Sequence, residues 1–198
     1  MIRNYDQVAA YYKLHSKWYD ITRAFFLFGR RELAEYINLR NKGKVLEAGS
    51  GTGFVTALIK NSTNITALDI SPDMSRIAKK RLKNKNNLTF SNQNFFEHTG
   101  KYDTIIFSYS ITMMPEDFEA VIEKADKLLN KNGRIAVVDF DTSQCLLYRK
   151  FMKLHNINLD GKLLRMLEEK FNPETVFKKK AYFGIWNYFI FIGNKKST

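Results

Sequence analysis

From residue 44 onward, short apolar runs alternate with longer amphipathic ones, the pattern of a doubly wound α/β sheet. Lys44 to Ala48 reads as a buried first strand, and the glycine-rich turn Gly49 to Gly53 follows it at once. A helix over 54–60 leads to a second strand, Asn64 to Leu68, which ends on Asp69. Ser71-Pro72-Asp73 is a helix start, with serine as N-cap, proline at the first helical position and an acid in the first turn. That helix, through Lys83, carries Met74, Ile77, Ala78 and Leu82 on one face and a basic cluster on the rest. Leu88 to Ser91 and Thr104 to Ser108 are the third and fourth strands. A helix over 116–129 should end in a turn, Asn130 to Gly133, with the glycine in a left-handed conformation. Arg134 to Asp139 is the fifth strand.

After the fifth strand the pattern changes: 145–154 and 160–170 read as amphipathic helices. Two late strands, 176–183 and 186–193, stand so close together that they must pair antiparallel. Before residue 44, Tyr5 to Tyr12 and Trp18 to Phe28 carry aromatics at mixed helical spacing, best placed as helices laid across the sheet. Repeats, low-complexity linkers and proline-rich joints are missing from the chain, so it reads as one domain over 1–198. Within it, 1–43 is a helical lid and acceptor segment and 44–198 the cofactor-binding core.

The 198 residues are 44% hydrophobic and 14% aromatic, enough for a sizeable core and too much for a solvated chain. A single cysteine, Cys145, excludes an internal disulfide framework and fits a reducing compartment. The first twelve residues lack the apolar core of a secretory signal, and no run approaches the roughly 20 apolar residues of a membrane span, so a cytoplasmic location is expected. The formal charge of +12 suits nucleic acid or an anionic membrane surface. His15, His98 and His155 are scattered without metal-ligand spacing, so no metal is predicted.

The sharpest chemical signal is Glu47-Ala48-Gly49-Ser50-Gly51-Thr52-Gly53-Phe54. A strand that ends in an acid and turns through alternating glycines lets the backbone approach a ligand closely. Asp69, 20 residues after Gly49, closes the next strand where a carboxylate can accept from both ribose hydroxyls. A dinucleotide fingerprint reads G-x-G-x-x-G, whereas here the order is G-x-G-x-G and Phe54 takes the place of the last glycine. No lysine follows to grip phosphates, and Glu47 would repel an anion but favour an ammonium or sulfonium group. The pattern points to a cationic nucleoside.

On these residues the chain resembles the class I S-adenosylmethionine-dependent methyltransferases over nearly its whole length. The resemblance implies a Rossmann-like seven-stranded sheet, mostly parallel with a C-terminal antiparallel hairpin, and S-adenosylmethionine as cofactor, with S-adenosylhomocysteine as product. It places Glu47, Gly49, Ser50, Gly51 and Gly53 around the methionine moiety and Asp69 on the ribose. Ile70 and Met74 would pack on adenine, with Asn94 and Phe95 beside it. Asn94 stands where the family commonly has an acid, and its amide oxygen can accept the same hydrogen bond. Ser108 and Tyr109 match the segment that lines the methyl-transfer face.

The acceptor is read by elimination and by a second resemblance. Cytosine C5 methylation needs a cysteine near the fourth strand, and base amino-methylation an Asn/Asp-Pro-Pro-aromatic run. The chain has Ser108-Tyr109-Ser110-Ile111 there, so a nucleic-acid partner is not expected. Residues 5–12, 18–23 and 26–31 look like the openings of quinone and phosphatidylethanolamine methyltransferases, closest to the lipid head-group N-methylating kind. By that likeness Tyr12 and Tyr19 would face an alkylated ammonium, with Tyr19 the catalytic candidate, and Arg30 would hold a phosphate or the cofactor carboxylate. Tyr109 completes the substrate-binding set. Phe25, Phe26 and Phe28 beside Arg23, Arg30 and Arg31 suit an interfacial helix on an anionic bilayer. The acceptor expected is a small or lipid-linked amine. Two alternatives stay open: C- or O-methylation of a quinone-like molecule, needing a base near Tyr109, Asp139 or His98, and a cofactor-binding protein without turnover.

Overall fold

The computed structural model describes residues 26–40, 43–60, 62–115, 117–154 and 157–196. Helix α1 (Arg30–Arg40) precedes β1 (Lys44–Ala48), α2 (Phe54–Leu58), β2 (Asn64–Leu68), α3 (Pro72–Arg81), β3 (Leu88–Ser91) and β4 (Tyr102–Ser108). Then come α4 (Phe118–Leu128), β5 (Leu129–Phe140), α5 (Leu146–Leu154), α6 (Lys162–Lys170), β6 (Asn172–Ala181) and β7 (Trp186–Asn194). The strands form one sheet in the order β3-β2-β1-β4-β5-β7-β6. β1 through β5 are parallel, while β7 runs antiparallel between β5 and β6.

Two apolar layers cover the sheet because successive strand side chains point to opposite faces. Leu46, Ile105, Phe107, Val137, Phe189 and Phe191 pack against α4 and α6. Val45, Ile106, Ala136, Val138 and Ile190 pack on the other face against Leu33, Ala34 and Ile37 of α1 and Val55 of α2. Helix α1 lies across this face of the sheet; the helix expected over 5–12 and residues 18–25 of the one expected over 18–28 lie outside the described residues. The start of α3 follows the sequence signal, with Ser71 Oγ accepting from Met74 N at 3.4 Å and Pro72 at the first position, and the helix stops at Arg81, short of Lys83.

The structure corrects several local expectations. Gly133 is not left-handed. Residues 129–133 continue β5 through an irregularity opposite Tyr102 and Thr104, with the Asn130 side chain donating to Asp103 Oδ1 at 2.6 Å. The glycine is needed there for space, since a Cβ would stand 3.0 Å from the Asn130 carbonyl oxygen. Strand β6 ends at Ala181 because Tyr182, Phe183 and Gly184 all have positive φ, 45°, 58° and 98°. Phe26 to Phe28 belong to a turn rather than a helix. Gly29 follows with φ 77°, and a Cβ on it would meet the Tyr188 ring at 2.7 Å.

Strand order places the site. The chain runs outward from β1 to β3 and then returns to the other side of β1 with β4, so the loops after β1 and β4 diverge and leave a crevice at their carboxyl ends. The turns after β1, β2, β3 and β4 all open there.

Candidate functional site

The three loop glycines serve three purposes. Gly49, Gly51 and Gly53 have φ of 72°, 53° and 74°, which side chains rarely adopt. A Cβ on Gly49 would stand 2.5 Å from Ser110 Cβ, whose hydroxyl donates to the Ala48 carbonyl at 2.8 Å. One on Gly53 would strike Leu82 of α3 at 2.7 Å, so this glycine lets helix and loop pack and lies outside the cleft lining. Around Gly51 no atom stands within 4 Å of that position. Its bare backbone faces the cleft instead of a neighbour.

Glu47 and Asp69 set the electrostatics. The Gly51 amide donates to Asp69 Oδ2 at 2.7 Å and the Ser71 amide to Oδ1 at 2.8 Å, which fixes the carboxylate and leaves lone pairs on both oxygens. Burial raises its pKa, and the two amides oppose that rise. Glu47 is 2% exposed, accepts from the Thr56 hydroxyl, and is pushed up to about 7 by burial. The Thr56 bonds and the Arg30 charge pull the other way, and the Asp69 charge adds to the rise. A buried acid poised near neutrality beside an open cleft is a strong candidate for holding a cation.

The opposite wall comes from the turn before α1 and the segment after β4. The Arg30 guanidinium lies 4.1 Å from the Phe54 ring centroid, and its Nε donates to the Leu27 carbonyl at 3.1 Å. Phe54, standing where a dinucleotide site keeps glycine, thus serves as a platform for a cation. Tyr109 has φ 54°, and its hydroxyl donates to the Phe28 carbonyl at 3.0 Å while its ring meets Phe140 edge-on at 4.8 Å. Burial and the Asp139 charge raise the phenol pKa well above its usual value, so it remains protonated.

The cleft brings together Glu47, Gly49, Ser50, Gly51, Asp69 and Ile70 from the first two turns, Phe95 and Ser108 from the next two strand ends, and Arg30 and Tyr109 from the far wall. Met74 is fully buried in α3 and does not line it. Asn94 does not line it either: its Oδ1 accepts from the Phe96 amide at 2.9 Å, inside its own turn. Gln93 lines the cleft in its place, with its amide against His98 Nδ1. Tyr12 and Tyr19 lie outside the described residues. Leu27, Met113, Met114 and Pro115 also line the cleft. The last three directly follow β4 on the ligand side of a parallel sheet, a signal present in the sequence.

The other titratable candidates are occupied elsewhere. Asp139 is wholly buried, accepts from Thr112 Oγ1 at 2.6 Å and from the Phe140 amide at 2.9 Å, and is raised to about 6 by burial. His98 lies between Gln93 and Tyr102, whose hydroxyl is 2.7 Å from Nε2. Burial lowers its pKa. Asp141 is buried under Gly161, away from the cleft, and burial raises it.

A doubly wound sheet with this hairpin, an acid before a glycine turn and a second acid closing β2, is the fold of the class I S-adenosylmethionine-dependent methyltransferases. Solved structures agree in fold. An N-methyltransferase, NodS of Bradyrhizobium japonicum, in complex with S-adenosyl-L-homocysteine, superposes with TM-score 0.69 over 84% of this chain and 83% of that one at 13% identity. A geranyl diphosphate C-methyltransferase of Streptomyces coelicolor gives 0.69 over 85% and 80% at 11% identity. The methyltransferase domain model matches residues 39–182, and the chain belongs to that family.

Among curated relatives, a putative protein N5-glutamine methyltransferase of Methanocaldococcus jannaschii is 34% identical over 132 residues, 62% of either chain. An uncharacterized methyltransferase of Bacillus mycoides is 32% identical over 110 residues, 54% of this chain and 52% of that one. The chain thus spans between half and two thirds of the length of these relatives. Residues 39–182 carry a methyltransferase domain, and enzymes of this fold take the methyl group from S-adenosylmethionine.

Proposed function

We propose that this chain binds S-adenosylmethionine in the cleft and methylates an amine on a small or lipid-linked acceptor. Bound there, the cofactor supplies a sulfonium whose methyl group passes in line to a nucleophile, the sulfur–carbon bond breaking as the new bond forms. Asp69, with lone pairs free on both oxygens, accepts from the ribose hydroxyls. Ile70 and Phe95 flank the adenine, and Gln93 meets its polar edge. Ionised Glu47 attracts the cationic end, and Arg30, held over Phe54, takes a carboxylate or a phosphate. Gly51 lets the ligand lie against the loop backbone.

The observation that carries the amine reading is how the three candidate bases named from the sequence, Tyr109, Asp139 and His98, are engaged. The Tyr109 hydroxyl is donated to Phe28, Asp139 is held by Thr112 and Phe140, and His98 is tied between Gln93 and Tyr102. An amine attacks through its lone pair and releases its proton to water afterwards, so no side chain must remove one. An acidic hydroxyl or ring carbon would need such a group free. Leu27, Phe54, Met113 and Met114 give the wall an apolar character that suits a lipid-linked acceptor. Incubation with radiolabelled S-adenosylmethionine and a bacterial lipid extract tests the reading. Label in amine-bearing phospholipid or in small amines is expected. Label confined to neutral quinone-like lipid, protein or RNA would overturn it.

A further inference from the structure

Most of the large exposed apolar residues among those described lie on the two elements that meet at one buried ring. Trp186 begins β7, and the Tyr148 ring of α5 stacks on it at 4.8 Å and 13°. Tyr182 meets it at 4.9 Å and Phe26 at 5.9 Å. Tyr148 and Met152 anchor α5. Beside them on the same apolar arc, Leu147, Phe151 and Leu154 are 81%, 56% and 83% exposed. Phe183, at the tip of the β6–β7 hairpin, is fully exposed. The chain holds it there through three consecutive left-handed residues, a costly backbone for Tyr182 and Phe183. A solvated hairpin gains nothing from that arrangement.

Charge selects the occupant. Residues 142–159 contain Arg149, Lys150 and Lys153 and no acid, and Lys178 and Lys180 lead into the hairpin tip, whereas Lys179 is paired with Glu32, and Lys195, beyond the other end of β7, with Asp126. A second copy of this surface would be repelled. Residues 1–25 carry four basic and two acidic side chains, so they too share its sign. An apolar arc edged by cations matches an anionic bilayer, in which the rings and leucines enter the acyl boundary and the cations meet head groups.

We propose that α5 and the β6–β7 hairpin tip dock this enzyme on an anionic membrane surface. The docking face joins the cleft wall. Phe28 packs edge-on against Tyr182 at 5.4 Å, and its carbonyl holds the Tyr109 hydroxyl. Phe28 is thus committed to ring contacts, whereas Phe26 stays 46% exposed beside the tip, and the interfacial surface extends to α5 and Phe183. The proposal deepens the lipid-linked reading of the acceptor, but vesicle binding is measured without turnover, so either can fail alone.

The full chain is sedimented with phosphatidylcholine vesicles, with and without about 25% phosphatidylglycerol, at about 0.1 M and 0.5 M salt. Binding is expected to the anionic vesicles and to weaken with salt. L147S/F151S/L154S and R149E/K150E/K153E should each lower the partition coefficient at least about tenfold, with cofactor affinity unchanged. F183S, at a tip residue with no burial to lose, gives about a fivefold loss and decides the matter if the triple variants fold poorly. Absence of binding to anionic vesicles, or binding unaltered by F183S, would overturn the proposal. So would a dimer dissolved by F183S, which assigns the surface to a second copy, or a lowered melting temperature without vesicle binding, which assigns it to residues 1–25.

Discussion

The two walls of the cleft are built differently. The wall after β1 and β2 is polar, made by backbone amides and carboxylates between Glu47 and Ser71, and the bond from Gly51 N to Asp69 spans 18 residues. The wall between α1 and the segment after β4 is apolar and cationic, and its defining bond, Tyr109 to Phe28, spans 81 residues. The first wall encodes its geometry locally and suits a ligand that never changes. The second depends on tertiary placement and can be re-cut for a new acceptor without disturbing the first.

Substitutions should separate the walls. Gly51→Arg, which fills the one open glycine position and breaks a left-handed turn, should raise the cofactor Kd at least about a thousandfold by calorimetry, more than any change on the other wall. Asp69→Ala removes the carboxylate proposed to hold the ribose and orphans two amides, and should weaken cofactor binding about a hundredfold.

Glu47→Gln divides binding from stability. The native state holds the Glu47 proton up to about pH 7, whereas its ordinary value is 4.5. Protons therefore favour the folded state, and the stability Glu47 contributes falls as pH rises from 4.5 to 7, by up to about 3 kcal/mol. Glu47→Gln should flatten that slope and raise the melting temperature above pH 7. Cofactor affinity, which in the native enzyme should rise as pH passes through about 7, should lose that dependence and fall about tenfold at pH 8.

On the acceptor wall the effects are smaller and kinetic. Tyr109→Phe leaves the Phe28 carbonyl without its donor, at a cost of about 1 kcal/mol, and should lower kcat several-fold while changing the cofactor Kd less than about twofold. Smallest of all, Gln93→Ala should weaken cofactor binding about threefold, and Asn94→Ala should only loosen its turn, by about 0.5–1 kcal/mol in chemical denaturation.

What the sequence reveals follows the same division. The first two strands, the glycine turn, the Ser71 cap and the Asp69 carboxylate are legible because each is set by neighbouring residues. Phe54 in place of glycine signals that the ligand is not a dinucleotide, but its partnership with Arg30 needs the fold. Gln93 and Asn94 are adjacent and chemically alike, and only the turn that commits Asn94 to the Phe96 amide decides between them. Met74 has the right spacing for the cleft yet is drawn into the core of α3. Gly133 reads as a helix terminator because glycine favours left-handed turns, whereas crowding against Asn130 is what requires it. The exposed Leu147, Phe151 and Leu154 of α5 look like core in a helical wheel, since periodicity gives an apolar arc without saying what covers it.

The most direct test of the central claim is calorimetric titration of the full chain with S-adenosylmethionine. One site per chain is expected, lost in Gly51→Arg, greatly weakened in Asp69→Ala and retained in Tyr109→Phe. No detectable binding to the wild type, or equal binding by Asp69→Ala, would contradict it.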